Sequence, residues 1–447
     1  MSMRLCFTSH LANLNIEHAR MAVWSWLLTR HDGGTFWVRG QNCGQIEALC
    51  AELRQLGIDW DEDPICCAER VVLYRRLAMQ LIAYGHAYER DGAIWFRIQR
   101  AGPMQIDDLL LRTLVFEHSS LDDPLLIAAE GTPSPLWADV ADEHLLGVTH
   151  VIGHADRLAD LPYRVQLHRA LGRLPQYLHL PSVITSGRMW LNDLQAEGYF
   201  PLALVNAIAT LGWTPRGRRR LHHLDELIAQ FDLEHISRHA TKWDITTLDD
   251  FNRRYLSQLD LATLSELLVP YWQTAFGTAH RADDTGMTPT AWQQLLTRAI
   301  RSELHRPAQA VELARAFFDD RFPVRTDAIE TLTQPYAPDV LRAFTDGIST
   351  LEPFAYDPLN EFVSALRYRF KASHGIRSRD AMFVIRAALT GRLDGPCLIE
   401  ACLLLGRARC LERATRRAVC PDRLCRPFSG KQGHDAPCQQ NVDIPVA

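Results

Sequence analysis

The residues best placed to do chemistry lie at the first turn of the chain. A short apolar strand, Met3-Arg4-Leu5-Cys6-Phe7, runs into the polar turn Thr8-Ser9-His10 and on through Asn15-Ile16-Glu17-His18-Ala19-Arg20 to a helical run over 21–30. His31-Asp32-Gly33-Gly34 stop that helix, and Thr35-Phe36-Trp37-Val38-Arg39 read as a second strand. A strand, a helix and a second strand in this order form a βαβ unit. The helix of such a unit opens with unpaired amides and the positive end of its dipole, which suits a nucleotide phosphate. Asn15 can donate a hydrogen bond to phosphate there, whereas Glu17 brings bulk and negative charge against an anion. Arg4 carries a guanidinium that can grip a carboxylate bidentately. His10 becomes a further candidate if the turn changes register.

Cations gather in two other places. Arg216, Arg218, Arg219 and Arg220 follow Trp213, and Arg386, Arg392, Arg407, Arg409, Arg413, Arg416 and Arg417 crowd the C-terminal third. Arginine forks onto phosphates and stacks on bases, so both groups suit RNA; a solvated loop and helix-end charge are the competing readings. His222-His223 is no metal pair, because adjacent helical residues face different directions. Cys420, Cys425, His434 and Cys438 can ligate zinc, but their spacing matches no finger and a reduced, unstructured tail is the preferred reading.

The 447 residues are 47% hydrophobic and 23% charged, with a net charge of −5. This is an ordinary soluble composition, large enough for roughly two to four domains. No apolar run approaches the roughly 20 residues that span a bilayer, and no basic-plus-apolar targeting segment opens the chain. The expectation is a cytoplasmic protein with no membrane partner. The 11 cysteines lie towards the two ends, none between Cys67 and Cys397, which fits reduced thiols.

Residues 45–59 and 70–84 carry apolar residues at helical spacing and end at Gly57 and Gly85. The stretch from Ile94 onwards reads as strands of an inserted α+β module. Residues 149–152 and 178–185 read as strands around a helix at 161–171, giving the second half of a parallel sheet. From Ala262 the pattern is helical, and beyond Ala418 apolar periodicity ceases, as in a disordered tail. Trp24, Trp26 and Trp213 read as core.

These pieces resemble the glutamyl-tRNA synthetases, class I enzymes that activate glutamate with ATP and load it onto tRNA. Arg4, Ala19-Arg20, Trp26-Leu27, Arg30, Gly33-Gly34, Phe36 and Arg39 carry the family's residue types at the start. The similarity continues at Ile58-Asp59-Trp60-Asp61-Glu62, at Gly198-Tyr199-Phe200-Pro201 through Leu211-Gly212-Trp213-Thr214-Pro215, at Trp243-Asp244, and at Phe383-Val384-Ile385-Arg386 through Gly395-Pro396. The resemblance implies a Rossmann-like class I catalytic domain over 1–185, with residues 86–134 an inserted α+β acceptor-stem module. It further implies a stem-contact region at 186–255 and an all-α anticodon-binding region at 256–418, leaving 419–447 as tail.

The same resemblance implies ATP with magnesium, tRNA of the glutamate type as partner, and a monomer. It places Asn15, His18 and Arg188 at the catalytic positions and Arg4, Thr8 and Gln41 in the amino-acid pocket. Arg216, Arg218, Arg219, Arg386, Arg392 and Arg407 become its tRNA contacts. Both ATP motifs depart from the pattern. Asn15-Ile16-Glu17-His18 stands for His-Ile-Gly-Asn, and the short loop 185–193 places Leu191 or Asn192 where the family has its catalytic Lys. The family's zinc-binding cysteines are absent around Tyr88-Glu89-Arg90, so no zinc is expected there. The expected function is a synthetase-like protein that binds tRNA with glutamylation weak or lost. A working divergent glutamate–tRNA ligase and an interaction protein keeping only the shell are the alternatives.

Overall fold

The computed structural model describes residues 2–9, 11, 13–100, 102–117, 121–185, 190–217, 221–281, 285–374 and 377–419. The described residues form two compact units, one drawn from 1–268 and 304–310, the other from 269–303 and 311–419.

The first unit starts with the βαβ arrangement. Strand β1 (Arg4–Ser9), helix α1 (Ile16–His31) and strand β2 (Thr35–Gly40) follow in order, and the strands pair in parallel with Arg4 opposite Thr35 and Ser9 opposite Gly40. Asn15 caps α1, its side chain accepting the His18 amide. Residues on every face of α1 are buried, Trp24 and Trp26 among them, so it is a core helix rather than an amphipathic one. Gly34 is dictated by contact: a Cβ there would lie 2.1 Å from the Met3 carbonyl oxygen. Helix α2 (Cys43–Gln55) leads to β3 (Ile65–Cys66), which extends the sheet beyond β2. Between them Asp59 accepts the Trp26 indole at 2.7 Å, and Asp59 and Asp61 hold the Arg30 guanidinium, so the 58–62 segment is pinned across α1.

Helix α3 (Val71–Ala83) precedes a three-stranded antiparallel sheet of β4 (Ala87–Arg90), β5 (Ala93–Phe96) and β8 (Leu125–Ile127). Within the same stretch, β6 (Pro103–Asp108) and β7 (Arg112–Glu117) form a hairpin. Helix α4 (Pro135–Leu145), strand β9 (His150–His154), helix α5 (Leu161–Ala170) and strand β10 (Gln176–Leu180) complete the parallel fold. The Thr149 amide donates to the Arg4 carbonyl at 2.9 Å and joins this half to β1. Strand β6 does not stay within the inserted module: it pairs with β10, and buried Asp108 accepts the His179 amide at 3.0 Å.

Strand β11 (Val183–Ile184), helices α6 (Leu191–Ala196), α7 (Pro201–Ala209) and α8 (Leu224–Gln230), strand β12 (Thr241–Lys242) and helix α9 (Ile245–Gln258) follow. Asn252 on α9 accepts the Phe200 amide and donates to the Gly198 and His305 carbonyls, tying α9 to the turn before α7. The Trp213 side chain is 1% exposed.

Helix α10 (Leu261–Phe276) opens the helical part, and α11 (Pro289–Ile300), α12 (Gln309–Phe318), α13 (Thr326–Leu332), α14 (Ala337–Thr350), α15 (Tyr356–His374), α16 (Ser378–Thr390) and α17 (Leu398–Val419) follow. Among the described residues no strand follows β12, and no described helix is long and apolar enough to cross a membrane.

Candidate functional site

The C-terminal ends of the parallel strands enclose a cavity of about 90 Å³, which is where open α/β sheets bind ligands. Alternation along β1 sends Arg4, Cys6 and Thr8 to one face and buries Leu5, Phe7 and Ser9 on the other. Cys6 and Thr8 therefore line the cavity, together with His18 from α1, Gly153 and His154 from β9, and His179 from β10. Arg4 shares that face but sits at the opposite end of the strand. Its Nε and Nη2 donate to the Leu146 carbonyl at 3.0 and 2.8 Å, and its guanidinium stacks over Trp37. Gln41 is exposed beyond the end of β2, where its carbonyl accepts the Ala68 amide. Of the three residues expected in the amino-acid pocket, the cavity wall contains Thr8 alone.

Asp139, Glu143 and Arg164 on the cavity wall belong to a polar network whose other members lie behind it. Buried Arg39 donates to Asp139 at 2.5 Å and to Asp142 at 2.6 Å; Asp142 also takes the Tyr74 hydroxyl and the Arg70 guanidinium. Arg164 bridges Asp139 and Glu143, and Glu143 receives His168 at 2.9 Å. A closed ion-pair network of this kind stands because each buried charge has partners. Burial pushes the Cys6 thiol well up from its ordinary value, so it is no thiolate nucleophile. His179 Nδ1 lies 2.7 Å from Asp108, the arrangement that orients an imidazole and fixes its tautomer. The sequence reading had no signal for this pair, because 71 residues separate its members.

At the first turn of α1, Asn15 Oδ1 accepts both the His18 amide and His18 Nδ1, each at 2.8 Å. Asn15 thereby caps the helix through its side-chain oxygen. Glu17 reaches across to accept the Val183 amide at 3.2 Å and lies 3.6 Å from His154 Nδ1. Burial, then the neighbouring His18, pulls His154 down to about 4, so it is neutral near pH 7. Arg20, one turn on, is buried and donates to the Pro181 carbonyl. The chain returning at Trp190 bridges to Asn15, and the Leu191 amide donates to Leu14 at 2.9 Å while its side chain is fully buried.

ATP with magnesium fits these residues poorly. The first turn of α1 already holds the Glu17 carboxylate, so a polyphosphate would meet a like charge beside the positive end of the helix dipole. Of Leu191 and Asn192, the two residues that the resemblance would set at the catalytic Lys, neither is a cation, and Leu191 is buried in the core. Of the arginines lining the cavity, Arg157 pairs with Asp160 and Arg164 with two carboxylates. His10, Arg188, Arg218, Arg219 and Arg220, and the tail residues Cys420, Cys425, His434 and Cys438, lie outside the described residues.

Among the cations expected to meet tRNA, Arg216 is 72% exposed and 3.6 Å from Asp232. In the helical unit Arg386 donates to the Pro396 carbonyl, and Arg392 pairs with Glu303 and Asp394, both at 2.8 Å. Arg407 pairs with Glu352 at 2.7 Å and lies over Phe354, sharing no partner with the other two. Arg409 and Arg413 turn inwards: both are buried, both bind Asp320, and both donate to main-chain carbonyls of 316–319. His222 is buried and His223 exposed, and, against the expectation, neither is helical: His223 is the cap that precedes α8.

The profile described as tRNA synthetases class I (E and Q), catalytic domain, matches residues 12–93 and 89–250, and an anticodon binding domain profile matches 263–417. The glutamate–tRNA ligase of Geobacillus thermodenitrificans is 27% identical over 479 aligned positions, covering 91% of this chain and 96% of that protein. The glutamate–tRNA ligase of a Synechococcus species is 28% identical, covering 89% and 95%. Among solved structures, a glutamate tRNA ligase from Elizabethkingia meningosepticum in complex with its amino acid superposes with a TM-score of 0.77 at 19% identity, covering 94% of this chain and 100% of that one.

Proposed function

The chain belongs to the class I tRNA synthetases of the E and Q type, and from that premise we propose that it binds tRNA while ATP-dependent glutamylation is weak or lost. The observation that carries this reading is the Glu17 carboxylate laid across the N-terminus of α1 onto the Val183 amide. The loop supports it as well: Leu191 and Asn192, the two residues aligned with the catalytic Lys, carry no positive charge. A missing cation at a developing polyphosphate commonly removes about a hundredfold or more in rate.

In this reading 1–185 is the synthetase frame, with 86–134 cradling the acceptor end. Residues 186–255 meet the stem, and 256–418 the anticodon of a glutamate-type tRNA. Arg216, Arg218, Arg219, Arg386, Arg392 and Arg407 are the proposed contacts, and the protein acts as a cytoplasmic monomer. Glutamate-dependent exchange of pyrophosphate into ATP, measured with tRNA present, stays at background. Robust charging of any tRNA with glutamate overturns the proposal.

A divergent working ligase is the second reading. The His179–Asp108 pair favours it, because an oriented imidazole on the cavity wall is an organised polar group rather than a decayed one. The same exchange assay, run with other amino acids, separates the two.

A further inference from the structure

Outside the cavity, three metal-ligating side chains meet where strands β2 and β3 end. Cys43 is the first residue of α2, following its Asn42 cap, and Cys66 closes β3 opposite Gly40. Their sulfurs are 3.0 Å apart, and the Cys43 sulfur is 3.4 Å from Glu69 Oε1. All three donor atoms lie within 4.8 Å of one another. Their backbones are held independently of any ligand, by the β2–β3 pairing and by the Ala68 amide donating to Gln41 at 3.1 Å. We propose that Cys43, Cys66 and Glu69 bind a thiophilic divalent cation of the zinc class.

The geometry fits that ion. With zinc–sulfur bonds of about 2.3 Å and zinc–oxygen bonds of about 2.0–2.2 Å, a tetrahedral site sets sulfurs about 3.8 Å apart and sulfur from oxygen about 3.6 Å. The spacing between Cys43 and Glu69 is met as it stands, and Glu69 lies within 4.8 Å of the Cys66 sulfur. The sulfurs need to separate by less than about 1 Å, and Cys43 is exposed and able to turn. Two thiolates with one carboxylate select zinc over magnesium or calcium, which prefer oxygen alone. Binding releases two protons, one from each thiol, and forms two metal–sulfur bonds and one metal–oxygen bond. The neighbouring Cys67 belongs elsewhere, with Arg39, Tyr74 and Asp142, and the exposed flank of Cys43 and Glu69 leaves the fourth position to water. This site is separate from the zinc-binding cysteines that the family resemblance would put near Tyr88.

The test is titration of the reduced full-length protein with cobalt and zinc. Cobalt should give a thiolate-to-metal absorption band in the near ultraviolet, and zinc should displace it. Cys43→Ser abolishes the band; the substituted side chain is exposed, so the fold is preserved. Glu69→Gln weakens binding by at least about tenfold, and Cys397→Ser leaves it unchanged. Retention of the full band in Cys43→Ser assigns the metal to other residues and overturns the proposal. A Cys43–Cys66-linked peptide in protein alkylated at lysis makes the pair a disulfide and overturns it equally.

Discussion

Glu17 and His154 lie 3.6 Å apart, yet they do not form a charged pair at neutral pH, because burial holds His154 at about 4. The folded value is below the roughly 6.5 of an unfolded histidine, so the unfolded chain takes up the proton first as pH falls. Stability is therefore lost between pH 6.5 and 4, and the loss reaches about 2 kcal/mol by pH 5. Urea denaturation of the parent and of His154→Leu at pH 7 and pH 5 measures it: the variant lacks this part of the acid sensitivity, and equal slopes would refute the assignment. Glu17 has a different consequence. Glu17→Gln keeps an acceptor for the Val183 amide while removing a negative charge from the helix N-terminus, where charge is worth about 1 kcal/mol. ATP affinity, followed by ligand-observed NMR, should rise about fivefold in this variant. No gain would mean that something other than Glu17 keeps ATP out.

At the scale of elements, α17 owes its seat to side chains that look from the sequence like RNA contacts. Arg413 donates to the Ala316 and Leu389 carbonyls at 2.8 and 2.6 Å and to Asp320 at 3.0 Å, so one guanidinium joins α17 to the ends of α12 and α16. Arg413→Ala should cost about 3 kcal/mol, read as a lower midpoint in the thermal unfolding of the helical unit, by leaving buried carbonyls unpaired. Asp320 responds to acid. Burial pushes its carboxyl up, but hydrogen bonds and charge from Arg413 and Arg409 outweigh that and hold it at about 2. Its folded value is depressed, so its contribution is complete above the unfolded value near 3.8 and is lost as pH falls towards 2. The elements themselves were largely legible. The reading of 161–171 as a helix meets α5 (Leu161–Ala170), and the strand–turn–helix–strand order of the first 40 residues meets β1, α1 and β2. Local period and glycine stops carry that information. The long-range contacts around the cavity were not legible, because Arg39 meets Asp139 and Asp142 across about 100 residues and Glu17 meets Val183 across 166. No local spacing announces such pairs, and an arginine destined for a buried carboxylate reads the same as one destined for RNA.

Over the whole molecule the net charge is −5, so tRNA affinity has to come from local cations rather than from the global field. Several described candidates already have acidic partners: Glu303 and Asp394 hold Arg392, and Glu352 holds Arg407. Phosphate must therefore compete with carboxylates, and binding should be strongly salt-dependent. If about five phosphates are neutralised, raising salt from about 50 to 200 mM should lower affinity by about two orders of magnitude. Arg392→Ala should cost about 1–3 kcal/mol if the guanidinium leaves its carboxylates to contact a base, and Arg216→Ala less, with a shallower salt slope, if it meets phosphate alone. Filter binding of bulk tRNA at the two salt concentrations, with the parent and both variants, decides this, and it is independent of catalysis because no ATP or glutamate is added. Salt-sensitive binding combined with background pyrophosphate exchange fits a tRNA-binding synthetase relative. Binding absent even at low salt would leave the synthetase frame as an interaction shell, whatever the state of the ATP turn.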